Sequence, residues 1–307
     1  MIGDVSRLAS GVTANGAPSS SPALRTADVL VRSSSGWVDR PGDSMARRRV
    51  RTGCVRGRPR PDAGMTLMEK LFEILHEDDG LLVINKPAGL VCHPTKGDVY
   101  SSLISRARLH LGARAEPQMI NRLDRETSGV VLVAKDPTTA RSWRRRWESR
   151  DVEKLYMAIV HGSIEGESGR IDAPLGKDER SAVVIKDAVR PDGAAAETEF
   201  RVLRRFARAE GDFTLLEVRL LTGRKHQIRI HLAHLGHPVV GDKLYGGDER
   251  VYLDLVFGRL TDEQRRALLT PHHALHARLV RCAEQGREIR FEAEPEEWFR
   301  SFAEVRT

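Results

Sequence analysis

From Leu67 onward the chain alternates between the two hydrophobic periods that mark strands and helices. Phe72–His76 and Leu81–Asn85 read as strands, and Asp78-Asp79-Gly80 between them supplies hairpin chemistry. Tyr100–Leu111 reads as a short amphipathic helix, and Val130–Ala134, apolar throughout, as a buried strand. Pro137 opens a helix to about Ser149, since a proline at the first turn removes an N–H that has no helical partner anyway. Lys154–His161 returns to a strand. In Phe213–Leu221, Leu216, Val218 and Leu220 face one way while Glu217 and Arg219 face the other, the period of a sheet with one wet face. Ile289, Phe291 and Ala293 alternate in the same way with Glu288, Arg290 and Glu292. Between these strands Ile228, Leu232 and Leu235 recur at helical spacing, and Gly236 and Pro238 stop that helix. Several strands follow one another with no helix between them. The pattern therefore predicts an α+β fold, a mostly antiparallel central sheet with flanking helices, rather than a doubly wound one.

Residues 1–64 show neither period. They hold 9 Ser, 8 Gly and 5 Pro with Trp37 as the sole aromatic, too little apolar surface to offset the entropy of ordering. They also carry 11 Arg, no Lys, 5 Asp and no Glu, a net of +6 out of the chain's +7. Residues 65–307 are thus nearly neutral, and any polyanion they bind must meet a local basic cleft. The division expected is a basic, disordered extension over 1–64 and a folded domain over 65–307. The extension reads as an RNA-attracting arm, a transit-type presequence, or an overcalled start with translation beginning at Met45, Met65 or Met68; the last is favoured, because periodicity begins only at Leu67.

The overall balance, 40% hydrophobic and 30% charged, is globular. No apolar run approaches the ~20 residues of a membrane-spanning helix, which argues against an integral membrane protein. Cys54, Cys92 and Cys282 lie far apart with no C-x-x-C spacing, so a disulfide framework or cysteine zinc site is not expected, and a reducing, cytoplasmic setting is. The Walker, dinucleotide-binding and H-E-x-x-H signatures are absent. Histidines cluster at 226, 231, 234 and 237 and at 272, 273 and 276, but without accompanying carboxylates; packed or polar-face histidines are expected, and no metal or cofactor.

Four stretches carry candidate chemistry. Asn121-Arg122-Leu123-Asp124-Arg125-Glu126-Thr127-Ser128-Gly129 sets an acid between two arginines at the entrance to the buried strand, where a carboxylate stays ionised for electrostatic or nucleophilic work. By itself it is more often an Arg–Asp pair closing a loop. Thr222-Gly223-Arg224-Lys225-His226-Gln227-Ile228-Arg229 offers Thr222 as a helix cap. With Arg224, Lys225 and Arg229 it makes an anion-attracting end that can hold phosphates or fix a carboxylate. Tyr156 stands mid-strand, a place where tyrosine usually packs. On 138–149, Trp143 and Trp147 are expected to face inward and Arg141, Arg144, Arg145 and Arg146, with Arg150 just beyond, to face solvent.

The ordered series NKPAG (85–89), NRLDRETSG (121–129), KLY (154–156), TGRKHQIRIH (222–231), GHPVVGDKLYG (236–246) and LHA (275–277) resembles the RluA-type family of RNA pseudouridine synthases, from about Leu71 to Phe299. The resemblance implies a cofactor-independent isomerase that turns uridine in structured ribosomal or transfer RNA into pseudouridine. It implies that Asp124 is the essential carboxylate, acting through C1′, the base or the 2′ proton. Tyr156 contacts the base and takes part in proton removal, Arg224 pairs with Asp124, Arg122 fills the space left by a flipped nucleotide, and Leu275 lines the pocket. Asn121 departs from the His that often precedes R-L-D in the family. A monomer is expected, since no exposed apolar edge is evident. Two rivals remain: a catalytically silent RNA-binding or ribosome-assembly protein on the same fold, and a hydrolase pairing Asp124 with a second carboxylate, for which only Glu126 is local.

Overall fold

Asp78 shows how local chemistry starts the fold: its Oδ1 accepts the backbone N–H of Gly80 (2.9 Å) and Leu81 (2.7 Å) and closes the first hairpin. The computed structural model describes residues 72–94, 101–112, 115–284 and 286–304, so the expectations for 1–64 lie outside the described residues. In chain order the strands are β1 (Glu73–Glu77), β2 (Leu81–Lys86), β3 (Gln118–Met119), β4 (Ser128–Ala134), β5 (Val152–His161), β6 (Ser168–Asp172), β7 (Leu175–Lys177), β8 (Asp187–Val189), β9 (Glu197–Arg208), β10 (Gly211–Leu220), β11 (Leu275–Glu284) and β12 (Arg287–Glu292). The helices are α1 (Leu103–Leu111), α2 (Pro137–Glu148), α3 (Gln227–His234), α4 (Arg250–Val256), α5 (Asp262–Ala267) and α6 (Glu297–Ala303).

One large sheet runs β1-β2-β4-β11-β5-β10-β9-β6, with β12 added to β11 and β3 to β4, while β7 and β8 form a separate hairpin. The neighbours are antiparallel except β4 and β11. The mostly antiparallel α+β architecture read from the periodicities is the one observed. β5, β9 and β10 bury Phe200 and Phe213 with Phe299 and Phe302 of α6 and Ile228 and Leu232 of α3. α1 packs Leu103 and Ile104 against β2 and β4, and on the other face Trp143 of α2 meets Phe291 of β12. Each such large side chain contributes about 1.5–3 kcal/mol by leaving water.

The charged face of β10 is drier than its alternation implies. Glu217 is 5% exposed, because Arg201 from β9 (2.8 Å) and Arg278 from β11 (3.7 Å) fold over it. On α2, Trp143 is buried and Trp147 half-buried, while Arg141, Arg144, Arg145 and Arg150 are exposed. Arg146 differs: it is half-buried, stacked over Trp143 at 5.4 Å and paired with Glu284.

The parallel pairing of β4 with β11 fixes the future site. Ser128 and Gly129 lie opposite His276 and Ala277, so the end of the R-L-D loop is sewn to the LHA strand. Gly129 is obligatory there: its φ is +113°, and a Cβ would stand 2.2 Å from the carbonyl oxygen of Ala277. Gly129→Ala is expected to destabilise the protein by about 3–5 kcal/mol through combined backbone strain and overlap. Thermal denaturation checks this; a melting temperature unchanged from wild type would refute it.

Candidate active site

The loop before β4 is held from several directions. Asn121 donates from Nδ2 to the carbonyl of Val130 (3.1 Å) and accepts on Oδ1 from the N–H of Leu132 (2.8 Å). The residue that departs from the family pattern therefore anchors the loop to its strand and stands outside the chemistry. Cys92 Sγ contacts both the carbonyl (3.3 Å) and the N–H (3.4 Å) of Leu123. The fully buried Lys86 donates to the carbonyls of Pro87 (2.9 Å), Leu90 (2.9 Å) and Arg125 (3.1 Å), tying the NKPAG turn to the same loop. Burial pushes its ammonium down to about 8.

Asp124, its side chain 28% exposed, points from this loop to α3. Its Oδ2 accepts from Arg229 Nη1 at 2.7 Å, and Arg229 Nε and Nη2 form a fork with Asp242 at 2.6 and 2.9 Å. Asp242 is fully buried and also accepts the N–H groups of Leu244 (2.9 Å) and Tyr245 (3.0 Å). The arginine ring-stacks over Tyr245 at 5.0 Å. One guanidinium thus turns its bidentate edge to a structural carboxylate and its third nitrogen to the partly exposed one. Burial raises the Asp124 carboxyl, but the Arg229 charge and hydrogen bond, together with the nearby His226 and His273, outweigh it and hold the group below the usual carboxylate range.

The expected Asp124–Arg224 pair is therefore corrected. Arg224 is exposed and donates from Nε to the carbonyl of Ala195 (3.1 Å). It sits in the turn before α3, whereas Arg229 lies within the helix on its buried side. The Thr222 cap is corrected too. The N-cap of α3 is His226, in the left-handed region (φ 56°) and without a side-chain cap hydrogen bond. Thr222 instead donates to Gln227 Oε1 (2.8 Å), which also accepts the N–H of Arg224 (2.9 Å). Lys225 is exposed and pairs with Asp187 at 2.9 Å on the β8 hairpin, leaving Asp124 to Arg229.

Tyr156 lies on β5 opposite Val218 and Ala277, half-buried between two core clusters. Burial, and secondarily the Asp124 charge, push its phenol above its ordinary value, so it is neutral at physiological pH and offers a ring and an O–H. Leu275 is buried on β11 opposite Ala158. Arg122 is exposed in the Asp124 loop. A cavity of about 410 Å³ opens beside that loop, lined by Pro87, Gly89, Val91, Ser101, Arg106 and Arg125.

Sequence reasoning missed Asp242, Tyr245, His226 and the Glu126–Lys243 clamp. The signal was present in G-D-K-L-Y, where an acid and a base adjoin a glycine. Glu126 Oε2 accepts from Lys243 Nζ (2.9 Å) and the His273 N–H (3.2 Å), and Thr127 Oγ1 meets His273 Nε2 at 2.7 Å. These contacts lock the loop to residues 241–243 and 271–273 and occupy Glu126, the second carboxylate that the loop itself offers. Burial opposes ionisation of Glu126, but Lys243 and the neighbouring His272 and His273 bring it down to about 2. A depressed carboxylate stabilises the fold above its unfolded value, about 4.3, and that gain is lost as pH falls toward 2. Glu126→Gln is expected to lower stability at pH 7 by about 2–3 kcal/mol, leaving Lys243 buried without its counter-charge, and to flatten the loss of stability below pH 4. Thermal unfolding of both proteins across pH 3–7 checks this; parallel curves would refute it.

Among the described residues, no group of three or more His, Cys, Asp and Glu side chains is placed to hold a metal ion. His231 and His276 are buried and satisfied, His231 by Thr198 and the Ala173 carbonyl, His276 by Ser128 and the Ala293 carbonyl. No helix among the described residues is long and apolar enough to cross a membrane.

A large, mostly antiparallel sheet with an arginine-held aspartate at the entrance to a central strand has the fold of the pseudouridylate synthases. The structure of human RNA pseudouridylate synthase domain containing 4 matches 74% of this chain and 89% of its own, at 28% identity and a TM-score of 0.57. The family model described as RNA pseudouridylate synthase matches residues 80–234. The ribosomal large subunit pseudouridine synthase D of Pseudomonas aeruginosa is 37% identical over 228 residues, 73% of this chain and 67% of that protein. The uncharacterised RNA pseudouridine synthase YlyB of Bacillus subtilis is 38% identical over 195 residues, 61% of this chain and 62% of that protein. The chain belongs to the RNA pseudouridine synthase family, in its RluA-type branch. Its matches span between about half and two thirds of several curated relatives: 62%, 51% and 56% of the Bacillus subtilis, Chloroflexus aurantiacus and Aquifex aeolicus proteins.

Proposed function

We propose that this protein isomerises specific uridines of large-subunit ribosomal RNA to pseudouridine, with Asp124 as the catalytic carboxylate. The observation that carries the reading is the Asp124–Arg229–Asp242 unit, a partly exposed carboxylate kept ionised and aimed by a buried arginine. The ribosomal substrate rests on similarity to the ribosomal large subunit pseudouridine synthases D of Pseudomonas aeruginosa and Xanthomonas campestris.

The chemistry is internally balanced. The N1–C1′ bond breaks, the uracil turns, the C5–C1′ bond forms, and the C5 proton leaves while N1 gains one. Positive charge develops at C1′ as in glycoside cleavage, and an ionised carboxylate stabilises it, adds to C1′ or removes the 2′ proton. Arg229 favours the charged form of Asp124 and fixes its Oδ2. Tyr156, neutral in the resting site, is a ring for the uracil to pack on; it accepts the C5 proton only in step with passing its own to water, and N1 takes its proton from water in turn. The target must leave its stack to reach Asp124, at a cost of a few kcal/mol, so loops and junctions are the favoured sites. Arg122, exposed in the same loop as Asp124, fills the gap in this reading.

The test incubates the full chain with transcripts of ribosomal and transfer RNA and maps carbodiimide-dependent primer stops. One or a few new stops in ribosomal RNA are expected. RNA binding with no stop in any transcript would replace this reading with the silent RNA-binding protein.

A further inference from the structure

His226 is so far without a role, yet its geometry is specific. A non-glycine residue in the left-handed region costs about 1 kcal/mol or more, and here that backbone turns the ring inward, leaving its side chain 11% exposed. Nδ1 lies 2.9 Å from the Tyr245 hydroxyl, and Nε2 lies 3.8 Å from Oδ1 of Asp124. The two carboxylate oxygens are thus distinguished: Oδ2 belongs to Arg229, and Oδ1 faces the imidazole.

The surroundings decide which nitrogen carries the proton. The Tyr245 oxygen accepts the N–H of Asp187 at 3.3 Å, which leaves its own proton to donate to Nδ1. With Nδ1 an acceptor, the neutral ring carries its proton on Nε2. The opposite tautomer would aim a lone pair at the carboxylate. The charged groups acting on the ring are Asp124, Arg229, Lys225 and Asp242, and Asp187 pairs with Lys225 behind it. Burial favours the neutral ring, against the pull of Asp124. Neutrality has a chemical consequence: Arg229 already weakens Asp124 as a base, and a second cation would weaken it further.

We propose that His226, locked by Tyr245 as the neutral Nε2–H tautomer, is a positioning residue that donates to Oδ1 of Asp124 and sets the direction of the reacting oxygen. A closure from 3.8 Å to about 2.9 Å completes the bond as the site tightens on RNA. This rests on the reading of Asp124 as the catalytic carboxylate.

Two independent readouts test it. Long-range nitrogen NMR of the full ¹⁵N-labelled chain, with His226 assigned by its loss in His226→Gln, should show an acceptor Nδ1 and a protonated Nε2 at pH 7. In Tyr245→Phe the lock is gone, and the ring should titrate nearer the ordinary histidine value of about 6.5. Single-turnover release of tritium from [5-³H]uridine RNA should slow by about 10²-fold in His226→Ala, with RNA affinity unchanged, because an unaimed group loses about that much. His226→Gln, whose amide N–H reaches toward the same oxygen, should recover most of the loss, and Tyr245→Phe should gain an acid limb near pH 6.5. An Nδ1–H ring or an imidazolium at pH 7, or a His226→Ala rate within about threefold of wild type, overturns the proposal. A wild type that releases tritium from no RNA overturns the reading of Asp124 instead, and the tautomer then still decides whether His226 donates to it.

Discussion

Asp124→Ala is expected to reduce pseudouridine formation by at least about 10⁴-fold, the scale on which removal of an essential reacting group is felt, while the protein stays folded. The two halves of that expectation have separate physical sources. The carboxylate is the one group that the loop, α3 and Arg229 jointly aim into the partly exposed site. Arg229, however, keeps its two-point fork to Asp242 when Asp124 is gone, so no buried charge is stranded. The melting temperature should therefore move by no more than about 2–4 °C, and RNA affinity should persist. Asp124→Asn should behave alike, since it preserves volume and removes only the charge. Because Arg229 holds the wild-type carboxyl below its ordinary range, the wild-type rate should show no acid limb from this group between pH 5 and 7. Tritium release and differential scanning calorimetry on the same preparations check both halves. A variant that retains a tenth of the activity would refute the catalytic role.

Arg229→Met is expected to fail in the complementary way. It leaves Asp242, fully buried, with a negative charge and no cation, and removal of one partner from a buried pair costs about 3–5 kcal/mol. For a domain of this size that lowers the melting temperature by roughly 10 °C. Activity should fall at permissive temperature as well, since Oδ2 of Asp124 loses its 2.7 Å donor. Arg229→Lys should not rescue either property, because a point charge cannot hold Asp242 through two N–H groups and Asp124 through a third. Restoration of stability in the Arg229→Met, Asp242→Leu double variant would confirm that the single loss came from the stranded carboxylate. A double variant as unstable as Arg229→Met alone would refute that account.

Much of this protein is legible in the order of its residues, because the causes are local. The Asp-Asp-Gly turn, the proline-started α2, the alternation of β10 and β12 and the apolar run of β4 are set by neighbours two to four positions away, and all appear where the periods place them. The R-L-D loop is legible too, as an acid between arginines before a buried strand. What the tertiary structure alone decided is which distant groups meet. Arg224 and Arg229 lie on the same stretch and look alike in sequence, yet Arg229 bonds to Asp124 across 105 positions and Arg224 does not. The choice depends on where α3 begins and how it rotates against β9 and the 241–245 turn, properties of packing rather than of composition. The same holds for Asp242, Glu126–Lys243 and His226, whose roles arise from burial and from register across β4 and β11. Hydrophobic periodicity encodes which side of an element is buried; it carries no information on which charged group waits on the other side of the interface, and that meeting is what makes the site.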